Sequence, residues 1–170
     1  MQARCTEFAL ADERATARLG AALARAIEGE QPSIGPQGLV VALSGDLGAG
    51  KTSVVRGMLR ALGVAGPVRS PTFTLVEPYV VSSLNFYHFD FYRLGNPEEF
   101  SFAGFREMFG KGSVCLIEWP ENAGRHLPEA DLRIALRLAG AGRHATLTAA
   151  TELGAACLHR ITTEMARPAA

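Results

Sequence analysis

Lysine is nearly absent from this chain of 170 residues: only Lys51 and Lys111 occur, and arginine supplies the rest of the 17 basic side chains. The 17 acidic side chains balance them, so no overall field draws the chain to nucleic acid or to an anionic membrane. A role near RNA must then act through a partner or a local patch, and DNA is not an expected partner. Cysteine is scarce as well. Cys5, Cys115 and Cys157 are odd in number and far apart, with no Cys-x-x-Cys pair, which argues against a disulfide framework and against a zinc site. Buried thiols in a reducing compartment are the expectation. The apolar run Leu39–Leu43 is too short to cross a membrane, and no signal-peptide pattern opens the chain. A cytoplasmic protein away from membranes is expected.

With 48% hydrophobic and 20% charged residues, the composition is that of an ordinary globular protein, and one domain over residues 1–170 is expected. Thr6–Leu10 reads as a short strand. Asp12 caps a helix whose apolar stripe is Ala15, Leu19, Ala22, Leu23 and Ile27. Residues 31–38, with two prolines and two glycines, read as a loop. The continuous apolar run Leu39–Leu43 suits a parallel strand covered on both faces, and a helix over Thr52–Leu62 ends at Gly63. Thr72–Tyr79 and Asn85–Tyr92 read as strands joined through Val80–Leu84, close to a hairpin. Asn96-Pro97-Glu98-Glu99 starts a short helix, with Glu98 and Glu99 in a capping role. Val114–Ile117 is a buried strand, Leu132–Leu138 and His144–Ala149 form a hairpin across Ala139–Arg143, and Glu152–Met165 is a closing helix. The alternation predicts an α/β fold, a P-loop NTPase-like three-layer sandwich on a mixed, mostly parallel sheet with antiparallel hairpin portions.

Gly45-Asp46-Leu47-Gly48-Ala49-Gly50-Lys51-Thr52 matches G-x-x-x-x-G-K-[ST] between a strand and a helix, the context that gives this motif its meaning. Glycines let successive N–H groups turn inward, and the next helix adds its positive end, so phosphate oxygens meet several donors at once. Lys51 supplies a mobile charge to the β- and γ-phosphates. Thr52 offers a hydroxyl to Mg²⁺, a hard cation that prefers oxygen, and Ser53 completes the candidate nucleotide-binding segment. Asp46 bonds its own backbone as readily as it touches a nucleotide.

Phosphate hydrolysis also calls for a carboxylate at the end of a neighbouring strand. Asp90 after Phe86-Tyr87-His88-Phe89 and Glu118 after Val114-Cys115-Leu116-Ile117 are the candidates for metal and water, the rival for Asp90 being a pair with Arg93. In Ser70-Pro71-Thr72, Pro71 keeps Ser70 extended and leaves the Thr72 hydroxyl for a γ-phosphate or Mg²⁺, although a plain loop leading into a strand fits equally. Trp119 packs beside a nucleotide or closes the core edge. The aromatic-rich stretch from Phe86 to Phe109 reads as core packing ahead of a stacking platform for RNA, because few basic residues interleave.

These segments together resemble the TsaE family, formerly called YjeE, the bacterial ATPases of tRNA threonylcarbamoyladenosine synthesis. The resemblance is carried by the glycine-rich loop, by Ser70-Pro71-Thr72-Phe73-Thr74-Leu75-Val76-Glu77, by Tyr87-His88-Phe89-Asp90-Phe91-Tyr92-Arg93-Leu94 and by Leu116-Ile117-Glu118-Trp119-Pro120-Glu121. Leu127-Pro128-Glu129-Ala130-Asp131-Leu132 continues it; Phe73 and Phe91 stand where Tyr or Leu is common. The resemblance implies an ATP- and Mg²⁺-dependent ATPase working with the TsaB and TsaD proteins, reaching tRNA only through that complex. It implies that Lys51 and Thr52 hold phosphate and metal, that Thr72 belongs to a switch loop, that Asp90 and Glu118 serve metal and water, and that Trp119 matters for activity. Of the two acids, Glu118 is favoured as the direct metal ligand. Adenine is placed only loosely, near Asp12 and Glu13 or near Arg143. Two rivals share the opening motif. A small-molecule P-loop kinase needs an arginine-rich lid, and a GTPase-like switch needs an N/T-K-x-D motif; neither is found in the sequence.

Overall fold

The computed structural model describes residues 4–170, leaving Met1, Gln2 and Ala3 outside the description. Its frame is one seven-stranded sheet in the order β1-β7-β6-β2-β5-β4-β3. The strands are β1 (Arg4–Leu10), β2 (Leu39–Ser44), β3 (Val76–Val81), β4 (Leu84–Asp90), β5 (Ser113–Glu118), β6 (Leu132–Ala139) and β7 (Gly142–Ala149). In the centre, β2 runs parallel to both β5 and β6, and β5 runs parallel to β4. The edges are antiparallel, through β1–β7, β6–β7 and β3–β4. The expected mixed sheet with a parallel centre and hairpin edges is therefore present.

The two faces are covered differently. Helices α1 (Glu13–Gly29), α3 (Lys51–Ala61) and α5 (Glu152–Ala166) supply Leu19, Leu23, Val54, Met58, Leu158 and Ile161 to a core under one face, where Val41, Leu43, Val114, Leu116 and Phe86 point. The alternate residues Val40, Ala42, Cys115, Ile117, Phe89 and Phe91 face a second core. This side is closed by the short α4 (Glu99–Phe102) and by 3-10 turns, with aromatic rings doing the filling. Phe89 stacks on Phe109 at 5.5 Å and meets Phe105 edge-on at 5.5 Å, while Phe91 meets Phe100 edge-on at 5.8 Å. Such pairs contribute about 0.5–1.5 kcal/mol each beyond the area they bury, which offsets the thinness of this layer. The core reading of the aromatic stretch holds for these rings, whereas Tyr92 and Phe102 are exposed.

Capping marks the helix starts that the sequence suggested. Asp12 accepts from the Ala15 amide at 2.8 Å, and Thr151 accepts from the Gly154 amide at 3.0 Å. Asn96 accepts from the Glu98 amide and Glu99 accepts from the Asn96 amide, both at 3.0 Å, a reciprocal box ahead of α4.

Several expectations are corrected. Residues 31–38 are not a loop: α2 (Gln31–Gln37) follows α1 at once. Pro32 stands in the first turn, where no amide donor is needed, Ile34 is fully buried, and Glu30 accepts from both Ser33 and Ile34 at 2.9 Å. The strand expected from Thr72 begins only at Val76, because a Leu75-to-Pro71 bond of 2.8 Å closes a turn with Leu75 at φ 67°. The strand expected to reach Tyr92 stops at Asp90, whose carboxylate takes the Tyr92 amide and bends the chain away. Both hairpin connections are tighter than read, with Val81 paired to Leu84 and Ala139 to Gly142. Of the three thiols, Cys115 and Cys157 are buried and pushed up to about 12 by burial, but Cys5 is exposed.

Helices α1 and α3 cross so closely that a Cβ on Gly57 would stand 2.4 Å from the Ala17 carbonyl oxygen. Gly57→Val is therefore expected to lower unfolding free energy by about 1–3 kcal/mol in urea titration. Gly35→Ala, in open space within α2, should leave stability unchanged or raise it by about 0.5–1 kcal/mol.

Candidate functional site

β2 ends at Ser44, and the chain then turns through the glycine-rich loop into α3. Gly45 sits at φ 140°, and a Cβ there would lie 2.3 Å from the Leu136 carbonyl oxygen, so only glycine lets the loop begin against β6. No side chain caps the α3 N-terminus, which leaves the first-turn amides of Lys51, Thr52 and Ser53 without intrahelical partners. Arg143, at the start of β7, ties the loop to that strand and also lines the cavity beside it. Its guanidinium donates to the Ala49 carbonyl at 2.9 Å and to the Gly48 carbonyl at 3.1 Å. These two bonds fix the Gly48 and Ala49 carbonyls against β7.

Lys51 is 4% exposed, a cation in a tight enclosure. Its Nζ donates to the Gly45 carbonyl and, at 3.0 Å, to the Asp46 carbonyl, and lies 4.0 Å from the centre of the Trp119 ring. Burial pushes the ammonium below its ordinary value, while the charges of Glu118, Glu121, Asp90 and Asp46 pull it back up. Asp46 takes part through its backbone, and its side chain is exposed. Trp119 reaches Lys51 because it adopts φ 57° directly after β5, and its ring lies 5.0 Å from that of Tyr92.

The two acids stand side by side. Parallel register pairs Asp90 with Glu118, and Glu118 with Leu43, whose strand leads into the loop. Strand alternation sends both carboxylates to the α3 side, and each is 3% exposed. Glu118 Oε1 accepts from the Thr52 hydroxyl at 2.8 Å and faces His88 Nε2 at 2.8 Å. Asp90 accepts from the Tyr92 amide at 2.9 Å and from the Ser70 hydroxyl. Burial raises the Asp90 carboxyl above its ordinary value; the Tyr92 amide works against that and the Glu118 charge adds to it. The rival reading, an Asp90–Arg93 pair, is not found among the described residues. Arg93 lies instead 4.6 Å over the Phe73 ring.

A cavity of about 240 Å³ joins these groups. Leu47, Gly48, Gly50, Lys51, Thr52 and Ser53 form its loop side; Thr72, Asp90, Glu118 and Trp119 form the other. Thr72 lines the cavity with no side-chain hydrogen bond among the described residues, and Ser70 of that segment touches a carboxylate. Ser53 donates to Glu13 at 2.6 Å and also borders a larger hollow of about 1130 Å³ beside α1 and α3, rimmed by Arg14, Arg18, Arg56 and Arg60. Of the residues considered for adenine, Asp12 is engaged in capping, Glu13 holds Ser53 and Arg143 holds the loop. Sequence reasoning missed His88, Ser70 and the clamp made by Arg143. The i, i+2 spacing of His88 and Asp90 on one strand was the signal for the first.

Among the described residues, no group of three or more His, Cys, Asp and Glu side chains forms a metal cage. The oxygen set of Thr52, Glu118 and Asp90 beside a cavity suits Mg²⁺, which keeps waters and shares its shell with phosphate. The uncapped helix start, the buried ammonium and the Thr52–Glu118 bond suit a polyphosphate.

Known proteins resemble this chain in sequence and in fold. The family model described as "Threonylcarbamoyl adenosine biosynthesis protein TsaE" matches residues 10–145. A tRNA threonylcarbamoyladenosine biosynthesis protein TsaE from Haemophilus influenzae is 49% identical over 116 residues, covering 68% of this chain and 73% of that protein. Its counterpart from Treponema pallidum is 40% identical over 140 residues, covering 82% and 94%. The crystal structure of Bacillus subtilis YdiB superposes with a TM-score of 0.76 at 27% identity, over 96% of this chain and 97% of that one.

The buried Lys51 carries a stability signature. Its value in the fold lies below the ordinary 10.5, so in the alkaline range just under 10.5 the unfolded chain binds more protons than the folded one. Stability contributed at this position should rise with pH through that window. Lys51→Met is expected to flatten the rise and to increase the unfolding midpoint at neutral pH; urea titrations at stepped pH test both.

Proposed function

The chain belongs to the TsaE family of threonylcarbamoyl adenosine biosynthesis proteins, and we propose that it is the Mg²⁺-dependent ATPase serving this tRNA modification together with TsaB and TsaD partners. One observation carries the reading: the Thr52 hydroxyl of the loop donates to Glu118, a buried acid at the end of the adjacent parallel strand. P-loop NTPases bring hydroxyl and acid together in this way around a metal.

The residues divide the work. The amides of Gly48 to Thr52 cradle phosphate, and Lys51 turns its ammonium from the Gly45 and Asp46 carbonyls to the β- and γ-phosphates. Thr52 and Glu118 would hold the metal or its water, with Asp90 beside them as the second carboxylate for that role. Bound magnesium supplies the positive charge that offsets negative charge on the transferring phosphoryl oxygens. Trp119 keeps water from the ammonium on one side. The Ser70–Thr72 segment reports the phosphate state, because Ser70 is tied to Asp90 while Thr72 faces the cavity unbonded.

A cavity of about 240 Å³ is small for a whole nucleotide, since small-molecule sites run at about 300–1,000 Å³. The polyphosphate occupies it and the nucleoside lies outside the loop. No helix among the described residues is long and apolar enough to cross a membrane, and the proposed place of action is the cytoplasm, with tRNA reached through the partner complex.

Titration calorimetry with Mg-ATP should give a saturable heat that Lys51→Ala removes. Glu118→Ala should keep most of the affinity and lose turnover by about 100-fold or more. Hydrolysis should be slow alone and faster with the partner proteins. Absence of any heat with the unmodified protein overturns the ATPase reading, and multi-turnover tRNA modification unaffected by omitting this chain overturns its role.

A further inference from the structure

The carboxylate of Glu118 is engaged on one side only. Oε1 receives the Thr52 hydroxyl at 2.8 Å and meets His88 Nε2 at 2.8 Å, while no hydrogen bond to Oε2 is found among the described residues. Asp90 differs, with Oδ1 taking the Tyr92 amide and Oδ2 the Ser70 hydroxyl. Of the four carboxylate oxygens of Asp90 and Glu118, Oε2 of Glu118 is the one without a hydrogen bond among the described residues.

The ring of His88 is fully buried, and its Nδ1 has no hydrogen-bond partner among the described residues. These facts select a tautomer. With the proton on Nδ1, a buried N–H would go unsatisfied and two lone pairs, on Nε2 and Oε1, would face each other at 2.8 Å. With the proton on Nε2, the ring donates to Oε1, and the unpartnered Nδ1 is a bare acceptor rather than a buried N–H donor. A ring protonated on both nitrogens would leave the same buried Nδ1–H without an acceptor.

We propose that His88 is the positioning residue for Glu118: its Nε2–H and the Thr52 hydroxyl together saturate Oε1, which presents Oε2 as the working oxygen of the site. This role rests on the Mg-ATPase reading only for what Oε2 serves, the metal or the attacking water. The bond itself stands on geometry. β4 carries both His88 and Asp90 on the α3 side, and His88 lies across from Leu116, two residues before Glu118, so one strand sets both acids. Orienting partners of this kind typically change activity by about 10- to 100-fold when removed.

Two measurements test it on the full chain. ¹⁵N spectroscopy resolves four histidine rings, and one of them, lost in His88→Gln, should show a protonated Nε2 and a bare Nδ1. A protonated Nδ1 on that ring overturns the proposal. In steady-state hydrolysis, His88→Phe keeps the volume and removes the donor; it should lower kcat by about 10- to 100-fold with KM for Mg-ATP little changed. His88→Gln, whose amide nitrogen reaches the Nε2 position, should recover most of that loss. His88→Asn, whose amide is too short, should not, and the Gln–Asn pair decides the matter if the Phe variant fails to fold. Equal activity across the variants, or equal loss accompanied by a common fall in Tm, overturns the positioning role. If the unmodified protein binds no Mg-ATP, the ATPase reading fails while the ring tautomer still tests the His88–Glu118 bond.

Discussion

Leu43, Glu118 and Asp90 stand in one row across three parallel strands, and the glycine-rich loop leaves the first of those strands one residue later. Everything at the candidate site depends on that register. A slip by one residue on β5 would send Glu118 into the aromatic core, where no donor awaits a carboxylate, and would bring Ile117 toward Thr52. Both faces of β2 and β5 are buried, so such a slip would also break two hydrophobic cores, which makes the register hard to lose.

The same row concentrates charges that would be costly to bury separately. Lys51, Asp90 and Glu118 are each nearly inaccessible, and burial shifts both Lys51 and Asp90 toward their neutral forms. Their neighbours reduce that cost without removing it. Two loop carbonyls and the Trp119 ring serve Lys51, Ser70 and the Tyr92 amide serve Asp90, and Thr52 with His88 serves Glu118. This close placing of ammonium and carboxylates is what the proposed binding of a phosphate anion together with a metal cation would use.

The unequal covering of the sheet fits this arrangement. Long helices lie on the face that carries the loop, the acids and His88, and give the first turn of α3 a fixed direction. The opposite face needs only volume, and phenylalanine rings on short turns provide it. Membership of the TsaE family and a TM-score of 0.76 to Bacillus subtilis YdiB place this frame among known ones.

Local patterns were enough for much of this. The apolar run Leu39–Leu43, the spacing of Gly45, Gly50, Lys51 and Thr52, the caps at Asp12 and Asn96, and the acids ending two strands could be read directly, because each is set by neighbours a few residues away. Where a segment's conformation depended on distant contacts, the reading failed. Residues 31–37 became helical once Ile34 found the core, and the strand before Val76 was replaced by a turn. Only the tertiary structure decided which donors meet which acceptors: Ser70 on Asp90, His88 on Glu118, and Arg143 on the loop carbonyls. Sequence carries the chemistry of a residue and its local backbone preference. A hydrogen bond between residues 30 or 94 positions apart exists only after strand order and register have brought them within 3 Å.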